Sequence, residues 1–91
     1  MPDEKIYYYR SFANNGVEIS LIPEAKGRYK VMYGEENLGS YATAVQALDD
    51  LIGGHTFSPS DGADTSQIGL PDELGEWDKR LFAEIKRLRP S

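Results

Sequence analysis

The chain has 91 residues, of which 40% are hydrophobic and 27% charged, with a formal net charge of −5 and no cysteine. That length holds one thin core, because a chain this short buries only roughly 60–65% of the surface its unfolded form exposes. The composition excludes a disordered chain, and the missing thiols exclude a disulfide scaffold, a thiolate metal site and a thiol nucleophile.

In chain order, the first half reads as an antiparallel meander. Lys5 to Phe12 is rich in Tyr and Ile, which suits a pleated, half-buried surface. Asn14-Asn15-Gly16 follows, and Asn-Gly is the strongest short hairpin signal. Val17-Glu18-Ile19-Ser20-Leu21 alternates apolar and polar residues with period two. After Pro23 and Lys26-Gly27, the run Arg28 to Tyr33 alternates again and sets Tyr29, Val31 and Tyr33 on one side. Gly34 to Asn37 is a polar turn, and Leu38 to Tyr41 is the candidate for a short fourth strand.

Thr43 and Gln46 then form a capping box that opens a helix. Val45, Leu48, Leu51 and Ile52 make its apolar stripe, and Gly53-Gly54 ends it. From 54 to 70 the chain is polar and aperiodic. Loops of that length are either functional or loose, and Phe57 to Gln67 offers no periodic apolar residue to anchor it. Pro71 opens a second helix over 71–89, where Leu74, Trp77, Leu81, Ile85 and Leu88 step by three or four.

The expected architecture is a single α+β domain over 1–91. It comprises a three- to four-stranded antiparallel sheet in 1–41, a helix in 43–53, a polar loop in 54–70 and a C-terminal amphipathic helix in 71–89. Its expected core joins Val17, Ile19, Leu21, Tyr29, Val31, Leu48, Leu51, Ile52, Trp77, Leu81 and Ile85.

Charge is unevenly spread. Residues 1–78 carry five Lys/Arg against fourteen Asp/Glu, a balance of −9, whereas 79–91 carry five against one, a balance of +4. Acids early and bases late complement a helix dipole, so the last helix accounts for the asymmetry without a polyanion. Asp49 and Asp50 run against that rule, because two acids in the last turn of a helix oppose its dipole. Pairing with His55 or with the basic last helix would repair the mismatch.

The stretch Gly27-Arg28-Tyr29-Lys30-Val31, continued by Asn37-Leu38-Gly39-Ser40-Tyr41-Ala42-Thr43-Ala44-Val45-Gln46-Ala47-Leu48, resembles the three-strand-plus-helix unit of AP2-type domains and of the arm-binding domains of integrases. The resemblance covers residues 27–48 and implies a sheet that lies on DNA. Those domains use a strongly basic sheet face. Here Lys26, Arg28 and Lys30 stand beside Glu18, Glu24, Glu35 and Glu36. In general character the chain also resembles the small proteins carried by bacterial mobile elements such as integron cassettes and phages.

Chemical motifs are few. There is no phosphate-binding loop, no dinucleotide fingerprint, no His-Glu-x-x-His and no nucleophile elbow. His55 is the one histidine, placed where a general acid or base could sit and equally where it could bond the last helix carbonyls. Asp61-Gly62-Ala63-Asp64 lacks the spacing of a calcium loop and suits a turn. No cofactor and no metal site are expected.

Six tyrosines, three phenylalanines and one tryptophan are the remaining signal, with Tyr7-Tyr8-Tyr9 in succession. Those three rings cannot all face one side of a strand. Alternation assigns Tyr7 or Tyr9, Met32 and Tyr41 to an uncovered sheet face, beside Arg28, Lys30, Glu18 and Ser20. The interaction candidates are Tyr7, Tyr9, Arg28, Lys30 and Met32, and the weaker site candidates are His55, Asp49 and Asp50. The expected function is a non-enzymatic protein-interaction module that forms a homodimer through this face. One alternative is an acidic modulator or weak binder in a nucleic-acid-related system, and another is a ligand binder or enzyme at the 54–70 loop. No apolar run approaches the roughly 20 residues that span a bilayer. Met1-Pro2-Asp3-Glu4-Lys5 also lacks the form of a secretory signal, so a cytoplasmic setting without a membrane partner is expected.

Overall fold

A computed structural model describes the backbone of residues 4–85 and the side chains of residues 5–83. Five strands form one antiparallel sheet: β1 (Glu4–Phe12), β2 (Glu18–Pro23), β3 (Tyr29–Tyr33), β4 (Glu36–Tyr41) and β5 (Asp78–Ile85). Their spatial order is β4-β3-β2-β1-β5, so the first strand is interior and the last closes an edge. One helix, α1 (Ala44–Ile52), packs on β2, β3 and β4.

The β1–β2 connection is a three-residue loop. The Ala13 amide donates to the Val17 carbonyl at 2.9 Å, and only Gly16 takes a positive φ, at 85°. That is a type I turn closed by a left-handed glycine, and it sets Tyr9 opposite Leu21 and Arg10 opposite Ser20. β3 and β4 pair with one irregularity. Leu38 is the extra residue between the Val31–Gly39 and Met32–Asn37 pairs, and its side chain is buried.

Half of the expected capping box is present: the Thr43 hydroxyl accepts from the Gln46 backbone amide at 3.0 Å, and the Gln46 side chain does not return a bond to Thr43. The helix ends in a Schellman motif, with the His55 amide on the Asp50 carbonyl at 2.8 Å and the Gly54 amide on the Leu51 carbonyl at 3.3 Å. Gly54 takes the left-handed conformation, at φ 74°. Its buried residues are Ala44, Ala47, Leu48 and Leu51. Val45, expected on the apolar stripe, is exposed, and two small alanines let the helix lie close to the sheet in its place.

The expected C-terminal helix is corrected. Leu74–Glu76 forms a single 3-10 turn, and Asp78–Ile85 is a strand on β1 rather than a helix; residues 86–89 of the expected helix lie outside the described residues. Two physical reasons stand out. Gly75 costs a helix interior about 1 kcal/mol relative to alanine, and pairing with β5 satisfies the second hydrogen-bonding edge of β1 from Glu4 to Arg10. Alternation was masked by a bulge, because Phe82 is the extra residue between the Tyr7–Leu81 and Ile6–Ala83 pairs. Leu81 is accordingly 52% exposed and leaves the expected core, while the Ile85 side chain lies outside the described ones.

Six of the expected core residues are buried: Ile19, Leu21, Val31, Leu48, Leu51 and Trp77. Val17, Tyr29 and Ile52 pack at the margin. Ala13, Tyr33, Leu38, Ala47 and Ile68 complete the cluster. Residues 54–77 are tied down at several points, including the stretch Phe57 to Gln67 that was expected to lack an anchor. The Phe57 amide donates to the Leu38 carbonyl at 3.0 Å, the Asn14 amide to the Ile68 carbonyl at 2.8 Å, and Pro59, Thr65 and Ile68 are buried. This segment continues the layer begun by α1 and covers the sheet beside β1. Among the described residues, no helix is long and apolar enough to cross a membrane.

Candidate functional site

The sheet has one face covered by α1 and residues 54–77, and one face on which no described element packs. β1 presents Tyr8, Arg10 and Phe12 to the uncovered face, β2 adds Glu18, Ser20 and Ile22, β3 adds Lys30 and Met32, and β5 adds Asp78, Arg80 and Phe82. Arg10 sits at the centre. Its guanidinium donates to Asp78 and to Glu18, each at 3.1 Å, and lies 5.9 Å from the centre of the Phe12 ring. Arg80 shares Asp78 at 2.9 Å. Hydrogen bonds from Arg80 and then from Arg10 hold the Asp78 carboxyl below the usual range, while the bond to Asp78 raises the Arg10 pKa further. Around this neutralised centre, Tyr8 and Phe82 meet edge to face with centroids 6.2 Å apart. Phe12 is 58% and Phe82 50% exposed.

Tyr7 and Tyr9, expected on the uncovered face, lie on the other one. The pairing of Tyr9 with Leu21 turns both rings to the helix side, in the part of the sheet that α1 does not reach. There they line a groove of about 500 Å³ with Tyr29, Pro23 and the Glu24–Gly27 turn. Tyr9 and Tyr29 lie 6.5 Å apart, the Tyr29 hydroxyl reaches the Tyr7 carbonyl at 3.5 Å, and the Lys79 ammonium caps the Tyr7 ring at 4.4 Å. A second hollow of about 220 Å³, lined by Tyr9, Leu74, Gly75, Trp77 and Lys79, adjoins the first across Tyr9.

The loop forms a third hollow of about 390 Å³, bounded by Gly54, Phe57, Pro59 and Asp64 among others. His55 does not line it. Beside it the Tyr33 hydroxyl donates to Asp61 at 2.6 Å and accepts from the Asn15 side chain at 2.7 Å, linking loop, strand and hairpin. The bond from Tyr33 holds the Asp61 carboxyl below its ordinary range, and the same bond raises the Tyr33 pKa. Asp64 is held low by Ser66. For these lowered carboxylates, the stability contributed is present above the ordinary Asp value and is lost as pH falls through the folded one. Tyr33, and Tyr29 and Tyr41 raised chiefly by burial, add stability below about pH 10 that is lost as pH rises above it. We therefore expect Tyr33→Phe to cost about 1–2 kcal/mol at neutral pH. That cost should shrink in acid, because the bond is worth most while Asp61 is ionised and fades as pH falls through the folded-state range of that carboxyl. Urea melts at neutral and acid pH measure this, and an equal cost at both would contradict the linkage.

The remaining sequence candidates scatter. Lys30 and Met32 lie on the uncovered face as expected. Arg28 precedes β3 and bonds the hydroxyl and carbonyl of Ser40, the partner of Lys30 in β4, at 3.2 and 3.1 Å. Tyr41 pairs with Tyr29 on the helix side, and its hydroxyl is influenced by Asp50. Asp49 and Asp50 gain no ion pair with His55 or with the basic C-terminal segment among the described residues. His55 is exposed and serves the helix end through its backbone amide. No group of three or more His, Cys, Asp or Glu among the described residues could hold a metal ion. Sequence reasoning missed Tyr8, Arg10, Phe12 and Phe82 as a set. The signal for the first three was the turn, because a three-residue loop places even-numbered residues of β1 opposite Glu18 and Ser20. Comparison of the chain with protein-family models, curated proteins and solved structures found no match.

Proposed function

We propose that the protein is a non-enzymatic interaction module that pairs with a second copy of itself through the uncovered face of its sheet. The supporting observation is the exposure of Phe12 and Phe82 on either side of the Arg10 network. Arg10 and Arg80 are balanced there by Glu18 and Asp78, so with Lys30 the face carries about one positive charge on a chain whose net charge is −5. Two such faces can meet without the repulsion that acidic surfaces would impose. Aromatic and methionine side chains beside satisfied charges are the composition of interface centres and rims. At about 4.8 Å between strands and 3.3 Å per residue, a five-stranded face projects roughly 24 by 20 Å, of the order that a modest dimer interface needs. Nucleic acid suits the face less, because two of its three cations already have carboxylate partners.

Light scattering at about 0.1 mM, where a micromolar dimer would be almost fully formed, should give twice the chain mass. Phe82→Asp and Phe12→Asp change half-exposed positions, so each should keep the fold and give the single-chain mass. A single-chain mass for the unaltered protein at that concentration would sink the proposal.

A further inference from the structure

The groove at Tyr7, Tyr9 and Tyr29 lies on the opposite side of the sheet from the proposed self-association face. We propose that it is a second binding site, which takes a proline-rich, acidic segment of another protein in the polyproline II conformation.

Shape is the first argument. The floor is β1, with Lys79 of β5 at one end; one wall is the turn between β2 and β3, and the other is the 3-10 turn at Leu74–Glu76. Two hollows flank the Tyr9 ring, the larger about 500 Å³ and the smaller about 220 Å³. Prolines two or three residues apart in polyproline II lie about 6–9 Å apart at about 3.1 Å per residue, which lets two of them straddle one aromatic ring. Such a segment is already extended, so little conformational entropy is lost on docking, and its carbonyls have no internal partners. Tyrosine hydroxyls and lysine ammonium groups along the groove are donors of the kind those carbonyls take.

Charge selects the flanks. Lys5, Lys26 and Lys79 border the groove on a chain that is otherwise acidic. Among the described residues that line the two hollows, Glu24 is the one carboxylate, and it accepts from the Ser40 hydroxyl at 2.6 Å. A cationic ligand is therefore disfavoured, and Lys79 already supplies the ammonium that the Tyr7 ring would attract. Stacked nucleobases are disfavoured too. Lys79 covers one face of Tyr7, and Tyr9 and Tyr29 lean on each other at 45°. What stays open is the channel between ring edges, which a narrow extended chain fills.

The only tryptophan, Trp77, lines the smaller hollow, so its fluorescence reports occupancy directly. The probe is a synthetic peptide with proline at every third position and glutamates at both ends. Its counterpart carries lysines instead, and oligothymidine serves as the nucleic-acid comparison. The glutamate peptide should give a saturable change below about 1 mM, with the lysine peptide about tenfold weaker. Tyr9→Ala should weaken binding about tenfold or more. Because that ring also touches the core, Lys79→Glu and Lys26→Glu, both at exposed positions, provide the independent arm and should reverse the preference between the two peptides. Phe82→Asp should leave peptide binding unchanged, which separates this site from self-association. No saturable response to the glutamate peptide, equal binding of both peptides, or a response to oligothymidine alone would overturn the proposal.

Discussion

Trp77→Ala should destabilise the fold by about 3–5 kcal/mol, whereas Leu81→Ala should cost less than about 1 kcal/mol. Trp77 is 4% exposed, and its indole N–H donates to the Pro71 carbonyl at 3.0 Å, so the ring both fills the core and fastens the segment that leads into β5. Truncation opens a cavity in the core and leaves the part-buried Pro71 carbonyl without its donor. Leu81 is 52% exposed on the edge strand and has little burial to lose. The pair of values separates the strand from a helix, in which Trp77 and Leu81 would share one stripe and cost alike. Denaturant melts of both variants measure it, and a Leu81→Ala cost equal to that of Trp77→Ala would contradict the edge strand.

Leu51→Ala should cost about 2–5 kcal/mol, the range for emptying a buried leucine site. Leu51 has no exposure and sits where the one helix meets the sheet, beside Leu48 and Ala47. A chain of this length has a total stability of about 5–14 kcal/mol, so this single change removes a large share of it. Val45→Ala on the same helix should stay within about 0.5 kcal/mol, because Val45 is 58% exposed. Comparison of the two melts tests the helix face, and a neutral Leu51→Ala would show it to be wrongly assigned.

The two surfaces were visible in the sequence as residue types and hidden as places. Three consecutive tyrosines announce rings on both sides of a strand, but the side each takes depends on the length of the following turn. With Asn15-Gly16 as a two-residue hairpin, Arg10 and Phe12 would fall opposite Leu21 and Ile19, on the core face. With Asn14-Asn15-Gly16 as the loop, Tyr9 falls opposite Leu21, and Tyr8, Arg10 and Phe12 face out. One residue of loop length thus exchanges the two sets of rings. The Arg10 network could not have been anticipated either, because Asp78 comes from the strand 68 positions away.

What the sequence determined by itself was local. The N-cap at Thr43, the glycine stop at Gly54 and the alternation that buries Ile19, Leu21, Val31 and Tyr33 are set by residues within a turn or a strand of one another. Tertiary structure decided what residues 71–85 become. Their period of three to four fits a helix, yet the open edge of β1 offers hydrogen bonds from Glu4 to Arg10, and a bulge at Phe82 lets the strand accept them. Local propensity is worth tenths of a kcal/mol per residue, whereas each ladder hydrogen bond that β5 makes contributes about 0.5–1.5 kcal/mol net. So the edge strand, the groove beneath it and the aromatic face above it follow from a long-range pairing that no window of the sequence contains.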